Sequence, residues 1–63
     1  MTCDVIIIRA YNTGYIDIEI DRKTTVFSKK SELNSWLLFA KGKGLTQRLY
    51  KRENNGDRIY CFS

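Results

Sequence analysis

The sequence predicts a small α+β domain of order ββαββ, with a four-stranded, mainly antiparallel sheet and one helix packed on one face. Residues 28–41 space their apolar side chains as a helix does. Residues 3–21 and 47–62 each alternate apolar and polar side chains on either side of an Asn- and Gly-containing turn. A chain of 63 residues makes one domain, spanning 1–63. At this size only ~60% of the unfolded surface is buried, so a disulfide, a metal or a partner is the usual aid to stability.

The first hairpin joins strands rich in β-branched and aromatic residues through Asn12-Thr13-Gly14. A three-residue loop with glycine in the left-handed position is a common hairpin connection. That register sets Tyr11 opposite Tyr15, Arg9 opposite Asp17 and Ile8 opposite Ile18. Ile6, Ile8, Ala10, Ile16, Ile18 and Ile20 then share one face, which the helix should cover. Val5, Ile7, Arg9, Tyr11, Tyr15, Asp17, Glu19 and Asp21 share the other. Val5 and Ile7 break the polar pattern of that second face. A continuous apolar run reads as a strand buried on both sides, and one helix covers only one side. The pair is either a partly exposed apolar patch or a contact with a partner or a second copy.

Val26 and Phe27 end the second strand or bridge to the helix, with Phe27 expected beneath the first helical turn. The helix follows over residues 28–41. Leu33, Trp36, Leu37 and Ala40 recur at i, i+3, i+4 and i+7. Ser28 is the expected N-cap, and Gly42 or Gly44 the expected stop. Lys41 and Lys43 suit the carbonyl end of the helix dipole, whereas Lys29 and Lys30 lie at the amide end, where positive charge is mildly unfavourable.

The second hairpin admits two registers. A two-residue Asn55-Gly56 turn places Tyr50, Ile59 and Cys61 on one face. A three-residue loop places Leu49, Ile59 and Cys61 inward and gathers Arg48, Tyr50, Arg52, Arg58 and Tyr60 opposite. The second is preferred because it segregates apolar from charged residues better.

Charge is polarised along the chain. The formal net charge is +4, made of −3 over residues 1–21, +8 over 22–52 and −1 over 53–63. There is no histidine, so the commonest general base is missing, and neither Cys3 nor Cys61 has a histidine for thiolate chemistry. With two cysteines at opposite ends and no CxxC, neither a zinc site nor a disulfide framework is expected. Asp17, Glu19 and Asp21 read as a solvated row. Lys41-Gly42-Lys43-Gly44 follows a helix, whereas a phosphate loop opens one. The chain is therefore expected to be no enzyme and to use no cofactor, metal or small-molecule substrate. No signal peptide or membrane span is read, which gives a cytoplasmic expectation.

Binding remains, in two forms. Val5, Ile7, Arg9, Tyr11 and Tyr15 would form an aliphatic and aromatic patch for docking on a larger host protein, or on a second copy of the chain. Tyrosine and arginine are favoured at interface hot spots. The alternative is nucleic acid. Lys29 and Lys30 would reinforce a phosphate site at the helix start, while Arg48, Tyr50, Lys51, Arg52, Arg58 and Tyr60 interleave cations that neutralise phosphates with rings that stack on bases. The stretch Phe-Ser-Lys-Lys-Ser-Glu followed by Trp36-Leu37 resembles the arm-binding domains of phage integrases, where a short sheet precedes a helix. This chain departs from that pattern by adding a hairpin after the helix, and no functional residue is carried over. A chain this short and rich in Ile, Lys, Asn and Tyr is the kind that bacteriophages and mobile elements encode, and such products often regulate or inhibit a host protein stoichiometrically.

Overall fold

A computed structural model describes residues 5–63. Five strands and one helix follow in the order β1 (Ile6–Ala10), β2 (Tyr15–Ile20), β3 (Thr24–Lys29), α1 (Leu33–Gly42), β4 (Gln47–Arg52) and β5 (Arg58–Phe62). A single 3₁₀ turn, Lys30–Glu32, leads into α1. All strand pairs are antiparallel, and the spatial order is β3-β2-β1-β5-β4. The class is α+β as expected, but the sheet has five strands, not four.

The first hairpin has the expected register. Ile8 lies opposite Ile18, Arg9 opposite Asp17 and Ala10 opposite Ile16, and the Tyr11 N–H donates to the Tyr15 carbonyl at 2.8 Å. Gly14 carries φ 99°, the conformation its turn requires.

The additional strand, β3, is entered through Asp21 and Arg22, both at positive φ (52° and 61°), with the Lys23 N–H donating to the Ile20 carbonyl at 3.0 Å. Two consecutive left-handed residues make a turn that normally selects Asn or Gly, which is why the sequence does not announce it. β3 absorbs Ser28 and Lys29, which the sequence assigns to the helix. Ser28 is therefore a strand residue and not an N-cap. Helix α1 starts at Leu33 with Glu32 before it and no side-chain cap. Phe27 does not pack beneath the helix. It points to the other face at 78% exposure, and Val26 packs on the core in its place.

Ile6, Ile8, Ala10, Ile16, Ile18, Tyr60, Phe62 and Ala40 form the core, and Leu33, Trp36 and Leu37 lean on it as the helical spacing predicts. Ten residues of helix are marginal alone in water, so this apolar stripe holds α1 in place. Gly44, at φ 81°, ends the helical run just beyond Gly42.

The second hairpin has the preferred three-residue loop. The Glu53 N–H donates to Asp57 at 2.7 Å, Tyr50 pairs Tyr60, and Arg52 pairs Arg58. Its face is the reverse of the expectation. Tyr60 and Phe62 turn toward the helix because they pair with Ile8 and Ile6 of β1. Leu49, Ile59 and Cys61 stand on the opposite face, and Phe62 is completely buried. A register slip between Gln47 and Leu49 sets Arg48 apart from the regular ladder. Cys61 is disulfide-bonded, against expectation. Cys3 lies outside the described residues.

Candidate protein-docking face

α1 covers one side of the sheet, and the other side has no helix. Strand pairing fixes what that open side displays. One row runs Phe27, Asp17, Arg9, Ile59 and Lys51 across all five strands. A neighbouring row carries Thr25, Glu19, Ile7, Cys61 and Leu49. Tyr11 and Tyr15 continue the same face at the turn end.

The centre of this face is an ionic cluster. Arg9 Nη1 lies 3.5 Å from Asp17 Oδ1 and 3.6 Å from Glu19 Oε2. The Tyr11 hydroxyl donates a hydrogen bond to Asp17 Oδ2. Asp17 is only 7% exposed although no helix covers it; its side chain is held between Arg9 and the Tyr11 hydroxyl. Its Oδ1 makes no hydrogen bond and is balanced by the Arg9 charge. Donation to Asp17, then burial, holds the Tyr11 phenol above its ordinary pKa of 10.0.

Beside the cluster is a hollow of about 490 Å³, lined on one side by Arg9, Tyr11 and Ile59 and on the other by the Glu53–Arg58 turn. The two hairpin turns meet at its rim. The Asn12 N–H donates to Asp57 Oδ1 at 2.8 Å, and the Asn12 side-chain amide donates to the Asn55 carbonyl. The Asp57 N–H donates to Asn55 Oδ1 at 3.0 Å, and Asn55 Nδ2 returns a bond to Asp57 Oδ2 at 3.2 Å. A Cβ on Gly56 would stand 3.5 Å from that of Asn12. These bonds give the hollow a fixed wall. The sequence names Tyr11 and Arg9 for this face but not Asn55, Asp57 or Ile59. The repeated Asn-X-Gly turn is the signal that could have placed the two loops together.

Of the residues named for docking, Ile7, Arg9, Tyr11 and Tyr15 share the open face, and Tyr15 is 61% exposed. Val5 is half-buried and packs on the core. The residues named for nucleic acid do not converge. Lys29 belongs to edge strand β3, and Arg48, Tyr50, Lys51 and Arg52 belong to edge strand β4 at the opposite side of the sheet. The Lys30 N–H, expected to be free at a helix start, donates to the Gly14 carbonyl at 2.9 Å. Tyr60 is buried, its ring centroid 5.1 Å from that of Tyr50. Lys51 points to the other face from Tyr50 and pairs with Glu53 at 3.6 Å.

Among the described residues, no group of three or more Asp, Glu or Cys could hold a metal ion, and no helix is long and apolar enough to cross a membrane. No protein-family model, curated protein or solved structure matches this chain.

Proposed function

We propose that this chain is a non-enzymatic binding domain that docks stoichiometrically on a larger protein through the helix-free face of its sheet. The observation that carries this reading is the composition of that face. A central strand presents Ile7, Arg9 and Tyr11 beside exposed Tyr15 and a walled hollow floored by Ile59. Arginine and tyrosine around an apolar floor are the residue types that dominate protein interfaces. Held by Asp17 and Glu19, Arg9 is pre-oriented, so binding would order it at little further cost. In this reading the chain acts by occupancy, as a regulator or inhibitor of the kind mobile elements encode; a sequence without histidine, the commonest general base, is in keeping with that. A disulfide at Cys61 fits an oxidising compartment better than the cytoplasm.

The test is capture from bacterial lysate with the tagged chain, with and without nuclease, beside a variant of the exposed Tyr15, Tyr15→Asp. One protein retained at near-equal stoichiometry after nuclease, and lost with the variant, supports the reading. Retention undiminished by the variant counts against this face. Recovery of nucleic acid that falls away steeply between ~50 and ~200 mM salt moves the assignment to Arg48, Tyr50 and Arg52 along the exposed strand β4.

A further inference from the structure

The sheet has two open edges of different character. β4 carries Arg48, Lys51 and Arg52, and rows of like charge on an edge keep identical chains from pairing there. β3 reads Thr-Thr-Val-Phe-Ser-Lys, with Lys29 as its single charge and no proline. It bears Phe27, the most exposed of the large apolar side chains described.

The hydrogen-bond phase of β3 follows from one observed bond. The Lys30 N–H donates to the Gly14 carbonyl, which makes that pair a hydrogen-bonded one. In an antiparallel ladder such pairs alternate, so Thr24, Val26 and Ser28 turn their backbone groups to β2. Thr25, Phe27 and Lys29 turn theirs to the open edge.

The geometry points to a symmetric dimer in which β3 pairs antiparallel with β3 of a second copy about a two-fold axis at Phe27. In that register Phe27 meets Phe27 of the partner, and Thr25 meets Lys29 in both directions. Every outward N–H and C=O of these residues finds a partner, and no like charges stand opposite one another. The outer rows also match. Thr25 is backed by Glu19 on β2, so Lys29 of one copy extends across the small Thr25 of the other toward Glu19. Strands two apart are ~10 Å from each other, within reach of a lysine directed along the row. The interface is isologous, so it closes at two copies and leaves the charged β4 edges outermost. The Arg9–Ile59 hollow stays clear of the axis, so the dimer would present it twice on one continuous face. This inference stands apart from the docking reading and does not need it.

The test is light scattering on the full chain over a concentration series, beside Thr25→Pro and Phe27→Lys. Proline at 25 removes only an outward N–H and leaves the bonds to β2 in place. The wild type should move from the 7.4 kDa monomer to twice that mass as concentration rises. Both variants should raise the dissociation constant at least ~10-fold with an unchanged circular dichroism spectrum. Hydrogen exchange on the wild type gives a readout independent of variant folding. The amides of Thr25, Phe27 and Lys29 should gain protection with concentration, and those of Tyr50 and Arg52 should not. A wild type that stays monomeric at ~1 mM overturns the inference. So does a folded Thr25→Pro that dimerises as well as wild type, or exchange at Phe27 indifferent to concentration.

Discussion

Tyr11 donates its phenolic proton to Asp17, and with Arg9 on the other carboxylate oxygen this holds a nearly buried charge on the side of the sheet that no helix covers. A hydrogen bond to a charged group contributes about 1.5–3 kcal/mol. Tyr11→Phe should therefore lower the unfolding free energy by that order at neutral pH, read from urea denaturation. The raised phenol pKa sets the pH dependence. The folded protein binds this proton more tightly than the unfolded chain, whose value is near 10.0. The contribution is fully present below that value and is lost as pH rises through the higher folded value. Wild type should thus lose stability at alkaline pH more steeply than Tyr11→Phe. Parallel curves would break the link.

Two phenylalanines should respond unequally to truncation. Phe62 is completely buried among core isoleucines, and Phe62→Ala should cost about 3–5 kcal/mol, enough to unfold much of so small a domain. Phe27 is exposed in the monomer, so Phe27→Ala measured at low concentration should fall within about 0.5 kcal/mol of wild type. Thermal melts of the two variants side by side check this.

The joined turns make a further prediction. Asp57 accepts from the Asn12 backbone and from the Asn55 side chain. Asp57→Ala should remove about 1 kcal/mol, and amide exchange at Asn12 should quicken while exchange at Ile8 does not. Uniform quickening along β1 would show that the turns are not a local clasp.

Reduction should weaken the fold. Loss of a native disulfide from a small domain costs about 2–5 kcal/mol, so the melting temperature should drop in reductant. Cys61 should resist alkylation in unfolded, unreduced protein. Ready labelling there would show a free thiol.

The sequence makes the first hairpin legible because Asn12-Thr13-Gly14 and the isoleucine alternation demand the same register. Helix spacing is equally plain from Leu33 to Ala40. β3 escapes because its turn, Asp21-Arg22, contains neither glycine nor asparagine, and because Ser28 fits the chemistry of a cap without being one. The second hairpin shows its loop but hides its face. Segregating charge from apolar bulk favours Leu49, Ile59 and Cys61 inside, but β5 pairs with β1, and that tertiary contact turns Tyr60 and Phe62 toward the helix instead. The hollow beside Arg9 is half legible for a related reason. Arg9 and Tyr11 sit on a strand whose faces can be counted, whereas Asn55 and Asp57 reach it only through a contact between distant loops.

The placement of β1 between β2 and β5 governs the order in which the molecule can assemble. Ile6 lies opposite Phe62, so the central ladder closes only when the two ends of the described chain meet. Four strands and the helix are made before β5, with the isoleucine face still lacking Phe62 and Tyr60. During synthesis that face is exposed until β5 leaves the ribosome. Pairing so distant in sequence slows folding relative to a local helical bundle of equal length. The waiting strands are also the species most open to misassociation.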